Sequence, residues 1–569
     1  MAEGKAAAQA KEPLTSSQPG GLDEAAVHHN EVAWGSFWGL VGTIALKIVS
    51  FAYAIYVARA FSQENVGLFY LSISVIGLIG FWRNLGLPAA LQRYVPYFES
   101  KKQGGKAISL LKISLAANAL LGVLLFALIF LLADPIGAIY QSPGLADGLR
   151  LLAAYVLFEN LFNVSISFLQ GRGDIKSNQF LNNMQNIIKL VLTVALFTVF
   201  GATLFTLSAA FILAYAAVFL MSIPMLLRSV PTLPSSGEKM SASEVLREVL
   251  PFGITLTIVQ TFWILISSTD RALLGYFGNS ANSIETVAIY SIASQLALTI
   301  MVFPSAVGNI FLPVISRLAG KDDHATMRKV MQTSQRWILF VTIPIALATM
   351  AFAGEMLSVF YGSAYRPGAN AMSIFILGLL FSVLAYPMSL ALAGMRLVKL
   401  ELYVAIACAI VNVALNILLI PYFGMEGASA ASAAAFLISA LMFERYGRQY
   451  LDYRTPRGVY KLFVAGAVAF AAIMLLKPLA PIMVSTVPAI GSGELAVYSS
   501  KFAYLAVLGV MGCIGLVIFG AVALLLRTFK HEDVDLLRSV AKKAFLPPAL
   551  VQIAEKIALA GVEPEKRKG

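Results

Sequence analysis

Apolar runs of roughly twenty residues, separated by short polar stretches, follow one another along most of this 569-residue chain. That length matches the roughly 30 Å hydrocarbon core of a bilayer. The pattern predicts spanning helices over 34–58, 66–96, 107–133, 150–170, 178–200 and 204–227, then over 251–275, 287–313, 332–353, 371–394, 402–421 and 426–444. Two more are expected at 460–484 and 500–527. Helix is the default because an isolated chain in lipid can satisfy its backbone polar groups only as a helix or a closed barrel. Landmarks also recur at an offset of roughly 223 residues, far beyond the 20–50 of a solenoid repeat. Leu169-Gln170-Gly171 falls on Leu392-Ala393-Gly394, Lys176 on Lys399, and Phe200-Gly201 on Phe423-Gly424. The expected fold is therefore an all-α polytopic membrane protein with about 14 transmembrane helices. Two six-helix lobes form a parallel pseudo-two-fold repeat, and two C-terminal helices stand outside it. An even number of helices per copy makes both lobes enter the membrane in the same direction, with substrate held between them.

The polar intervals divide the chain. Residues 1–32 lack an apolar core and read as a disordered cytoplasmic tail. The N-lobe covers 33–230. A linker at 231–250 opens with Pro231, Pro234 and Ser235-Ser236-Gly237. The C-lobe covers 251–450, the last helix pair 458–528, and an amphipathic cytoplasmic tail 529–569. Basic residues fall on alternate loops: Arg93, Lys101, Lys102 and Lys106, then Arg172 and Lys176, then Arg228, Lys239 and Arg247, with the same rhythm repeated from Arg317 to Lys461. The positive-inside rule then puts both termini in the cytoplasm of a multi-pass protein of the cell membrane. Composition agrees, with 59% hydrophobic and 13% charged residues. The net charge of +12 is a topology signal whose counterpart is anionic lipid, not nucleic acid. Cys408 and Cys513 sit in predicted helices, and His28-His29 has no further ligand at useful spacing, so neither a disulfide nor a metal site is expected. No G-x-x-x-x-G-K-[ST] loop occurs, which removes nucleotide hydrolysis by that route, and no cofactor is expected.

Charge inside spans carries the candidate chemistry, because ionisable groups in lipid are costly and face protein or water. Lys47 shares one face of the first helix with Ser36, Thr43 and Ser50. The fifth helix aligns Asn178, Asn182, Asn186, Lys189 and Thr193, and the fourth aligns Glu159, Asn163, Ser167 and Gln170. The seventh carries Gln260, Ser267 and Arg271. Arg83 lies one turn before Gly86 and Pro88, where the second helix should bend, and Pro304 offers a second hinge. Lys47, Arg83, Lys189 and Arg271 are the candidate cavity cations, suited to a phosphate through charge-assisted hydrogen bonds. Asn182, Asn186, Asn163 and Gln260 are the expected polar lining. Lys112 and Arg336, nearer helix ends, are expected to snorkel. Glu159 and Asp270 are candidates for coupling to protons or sodium. Their structural alternatives are Glu159 pairing with a lysine, and Asp270 pairing with Arg271 or capping a helix.

Specific stretches resemble a known family. Ala58-Arg59-Ala60-Phe61, Val66 to Tyr70, and Asn84-Leu85-Gly86-Leu87-Pro88 through Arg93 are similar to the first hairpin of polysaccharide-exporter flippases. Thr269-Asp270-Arg271 through Gly275, Ile289-Tyr290-Ser291, Phe360-Tyr361-Gly362, Tyr365, Asn412 and Ile420 to Ala428 resemble its second lobe. The family is the multidrug/oligosaccharidyl-lipid/polysaccharide (MOP) exporter superfamily, in its O-antigen flippase-like polysaccharide branch. The resemblance implies a secondary transporter, not an enzyme. It would move a polyprenyl-(pyro)phosphate-linked oligosaccharide outward, beside glycan-assembly proteins and anionic lipids. One departure stands out: where the family often has an acidic residue before the Leu-Gly pair, this chain has Arg83-Asn84. An ion-coupled multidrug antiporter of the same superfamily should show the opposite charge balance. A membrane glycan polymerase or ligase should show a large outward loop with acid/base residues, which this sequence lacks. The last two helices are read as part of a groove for the polyprenyl tail, or as padding and dimer contact.

Overall fold

The computed structural model describes residues 45–80, 82–230, 238–278, 283–395, 397–480 and 494–529. The expected tail 1–32, the expected tail 529–569 apart from Phe529, and the start of the linker lie outside these residues. The first described helix, α1, covers 45–60. It is followed by α2 (Gln63–Ile79), α3 (Leu87–Ser100), α4 (Gly104–Ile139), α5 (Pro143–Leu152), α6 (Tyr155–Gly171), α7 (Ile175–Phe200) and α8 (Leu204–Ser229). After the linker come the short α9 (Ala242–Glu244), α10 (Leu250–Phe277), α11 (Ser283–Ala297), α12 (Val302–Gly320), α13 (His324–Ala351), α14 (Ala353–Tyr361), α15 (Ala369–Gly394) and α16 (Val398–Leu451). The last two are α17 (Arg457–Leu476) and α18 (Glu494–Leu525). Among the described residues, 10 helical stretches are long and apolar enough to cross a membrane. About 14 were expected. Part of the difference is that the stretch Lys399–Leu451 holds two arms about Gly424.

The run 66–96 is one span by hydropathy and two helices in space. α2 stops at Ile79, Leu85 and Gly86 take positive φ (45° and 72°), and α3 restarts with Pro88 in its first turn. Proline is tolerated there because the first helical N–H groups have no intrahelical partner. Gly86 is required twice over. Its φ is left-handed, and a Cβ would overlap the carbonyl of Gly253 on α10. The second interruption is the 3-10 turn Leu298–Met301 between α11 and α12. Pro304 has no N–H for the carbonyl of Ile300, which loosens the helix at that turn. Gly86 and Pro88 thus stand at the α2–α3 break, and Pro304 in the first turn of α12. Helix α16 holds the expected spans 402–421 and 426–444 as two separate arms. Its backbone leaves helical geometry at Gly424 (φ 53°, ψ −128°). Asn412 then donates to Ser432 Oγ at 3.1 Å and Cys408 to Ala435 O at 3.2 Å, so the two arms run back along each other.

Helices α2 to α8 pack among themselves, and so do α10 to α16. The two sets meet where α2 lies on α10 and α11 and where α3 lies on α10. In lipid no hydrophobic force drives helices together, so close van der Waals approach must do so. Gly67 supplies it at one end of this seam, its Cα directly against the carbonyl of Ile284, and Gly86 at the other. The linker's capping box holds α9 in place, with Ser241 Oγ accepting from Glu244 N and Glu244 reaching back to Ser241 N. These hydrogen bonds keep the Glu244 carboxyl below its ordinary range. Helices α17 and α18 pack on each other and against α13. Arg336 of α13 is not the snorkelling residue expected. It is 2% exposed, donates to Thr333 Oγ1 at 3.2 Å, and sits against Gly458 of α17. Lys112, by contrast, is exposed.

Candidate functional site

The first polar cluster is built by α1 and α7. Repeating Asn at 178, 182 and 186 puts one amide on each turn of α7: Asn178 donates to Ile166 O of α6 at 3.1 Å, while Asn182 and Asn186 each donate one turn back, to Asn178 O at 2.9 Å and Asn182 O at 3.2 Å. That leaves Asn186 Oδ1 free to accept from Ser50 at 3.1 Å and from Lys189 Nζ at 3.1 Å. The ammonium of Lys189 also stands 4.3 Å from the ring centre of Tyr53 and 5.8 Å from that of Phe211. Among the described residues no carboxylate reaches it. Aromatic faces attract a cation without neutralising it, so the charge remains available to an anion. Lys47 is exposed one turn before Ser50 on α1. Asn163 is half-buried on α6, and the side chain of Gln260 lies outside the described residues.

Arg83 and Glu159 take each other. Their side chains are 2.8 Å apart and only 15% and 12% exposed. Arg83 Nη1 also donates to Tyr155 OH at 3.1 Å. Arg83 is therefore a charge already spent inside the first set of helices, and the partner of Glu159 is an arginine where a lysine was anticipated. Of the candidate cations, Lys189 shares the α1–α7 cluster, Arg83 is paired, and Arg271 stands on the seam. There Arg271 Nη1 reaches Ser74 Oγ at 3.5 Å and its guanidinium lies 5.9 Å from the Tyr70 ring centre. Tyr70 in turn donates to Gln295 at 3.0 Å. No carboxylate among the described residues pairs with Arg271.

Asp270 neither pairs with Arg271 nor caps a helix. It is 1% exposed and held by four neutral donors. Asn412 and Asn416 donate to Oδ1 at 2.9 and 2.7 Å, Tyr290 and Ser432 to Oδ2 at 2.7 and 2.6 Å. Asn416 Oδ1 and the hydroxyls of Ser291 and Ser429 are buried nearby without hydrogen-bond partners. A cavity of about 240 Å³ adjoins this cage, lined among others by Ser267, Arg271, Ser294 and Ser382. The sequence reading missed Asn416, Ser432, Tyr53 and Tyr70. Asn412 and Asn416, one turn apart in an otherwise apolar span, were the visible signal.

A helical protein with many candidate membrane spans, cations without carboxylate partners among the described residues and a buried, caged carboxylate has the build of a membrane transporter. A family described as polysaccharide biosynthesis protein matches residues 56–370, and this chain belongs to it, within the MOP superfamily of transporters. The lipid II flippase MurJ of Bacillus subtilis (strain 168) is 22% identical over 77% of this chain and 87% of its own length. Among solved structures, a lipid II flippase MurJ in an inward closed conformation superposes with a TM-score of 0.66, at 14% identity, over 85% of this chain and 97% of that one. An inward-facing MATE-family multidrug resistance transporter of the MOP superfamily gives a TM-score of 0.61 at 16% identity, covering 73% and 98%. These likenesses at low identity establish the fold.

Proposed function

We propose that this protein flips a polyprenyl-(pyro)phosphate-linked oligosaccharide from the cytoplasmic to the outer leaflet of the cell membrane, for surface polysaccharide or glycan assembly. The two helix sets act as lobes that alternate about a central site. One observation carries the choice of an anionic cargo: Lys189 and Arg271 are cations that no carboxylate among the described residues neutralises. A phosphate supplies the missing counter-charge. A carrier of cationic drugs would be repelled by the same pair. The membership in a polysaccharide biosynthesis family and the likeness to a lipid II flippase point to a lipid-linked glycan. Asp270 takes the coupling role, charging and discharging with a proton or sodium ion, with the amide oxygens of Asn412 and Asn416 close by.

The test is a deletion strain, in which one lipid-linked glycan should accumulate on the inner leaflet. Restoring the gene should clear it. Lys189→Ala and Arg271→Ala should each cut export about tenfold to a hundredfold while folded protein persists in the membrane, as expected for losing one hydrogen bond to a charged group. Full export by both variants would remove the anionic-cargo reading.

A further inference from the structure

The far end of the bundle, opposite the linker, holds a contact that the cargo reading does not use. Gly362 (φ 111°) ends α14 with its N–H on Ser358 O. The carbonyls of Val359 and Phe360 therefore project beyond the last helical bond and need donors from elsewhere. Arg59, the penultimate residue of α1, provides them: Nε donates to Phe360 O at 2.7 Å and Nη2 to Val359 O. One turn on, Gln63 donates to Ala364 O at 2.8 Å. Phe51 meets the Phe360 ring edge-on at 5.2 Å and Tyr361 at 6.1 Å. The donors come from α1 and the start of α2, and the acceptors from α14 and the turn after it. A cation at a helix C-terminus also complements its dipole. Both carbonyl acceptors are neutral and Arg59 is exposed, so water can take over each bond when the helices part.

We infer that Arg59 is a removable cap, a guanidinium from one lobe closing the C-terminus of α14 in the other, which holds the far end of the transporter shut. This rests on the alternating-lobe reading above. When the cap releases, the α14 carbonyls exchange one donor for water and the far end opens. The arrangement gives the closed state a defined preference without an ion pair.

Spin labels at Gln141→Cys and Asn370→Cys, both exposed at the far end and outside the cap, report the separation, with Cys408 and Cys513 replaced by serine. Double electron–electron resonance on the full chain in lipid nanodiscs should show a dominant short distance. Arg59→Ala should raise the open-to-closed ratio about tenfold to a hundredfold, and Arg59→Lys, which keeps the charge but not the forked donors, should lie between. An unchanged distribution in Arg59→Ala overturns the cap. If that variant does not fold, Gln63→Ala decides: a smaller shift in the same direction supports the cap, and none overturns it. A reducible disulfide between Gln63→Cys and Ala364→Cys tests the lobe motion separately. Export that continues with the disulfide closed counts against alternation, while the distance data still judge the cap.

Discussion

Asp270→Asn should leave a folded protein whose export falls at least about a hundredfold, as expected where an intramembrane carboxylate carries the coupling charge. The carboxylate is buried and surrounded only by neutral donors. Four hydrogen bonds lower the cost of an isolated buried charge but do not cancel it, since desolvating an ion is far costlier than desolvating a dipole. The group is thus poised to take up a positive charge from a proton or sodium ion. Asparagine keeps the volume and loses that capacity. Asp270→Ala should do more, leaving four buried donors unsatisfied at about 1–3 kcal/mol each, not strictly additive. A drop in the thermal midpoint of the detergent-solubilised protein should accompany its loss of export. Wild-type export by Asp270→Asn, measured in inverted vesicles under an imposed ion gradient, would reduce the cage to a structural device.

The second large effect is expected at Gly86. Alanine there meets two penalties at once. A left-handed φ of 72° costs an L-residue about 1–2 kcal/mol. The added methyl would also overlap the Gly253 carbonyl, forcing α3 away from α10 at an overpacking cost of about 1–3 kcal/mol. Neither obstacle is a flexible side chain that could swing aside. Gly86→Ala should therefore lower the yield of monodisperse protein by size-exclusion chromatography several-fold and depress its thermal midpoint. Gly253→Ala should do the same by the overlap alone and so less severely. Normal yield and midpoint for Gly86→Ala would mean that the α3–α10 contact is not structurally important.

Hydropathy located most of the membrane helices because lipid imposes one rule everywhere: some twenty apolar residues with every backbone group bonded internally. Gly86, Pro88 and Pro304 were legible as breaks for a similar reason, since their backbone chemistry is local. Partners were not. Glu159 reaches Arg83 across 76 residues of sequence, and Asp270 gathers Asn412 and Ser432 from 142 and 162 residues away. Nothing in the spacing of Asp270-Arg271 shows that one side chain turns into the second helix set while its neighbour turns toward Ser74 in the first. The break between the spans 402–421 and 426–444 was legible, and the structure carries it on the backbone angles of Gly424. Charge patterning singled out Lys189 and Arg271, and the structure puts both beside polar and aromatic groups instead of carboxylates.

The Arg83–Glu159 pair has an evolutionary corollary. Losing either partner strands the other as an uncompensated buried charge, whereas replacing both with apolar residues of similar bulk is often neutral or stabilising. Descendants of this chain can leave the pair only through a costly single-mutant step, or by crossing both changes together. Positions 83 and 159 should thus be inherited as a unit, drifting in tandem among relatives even where the surrounding helices have changed almost completely.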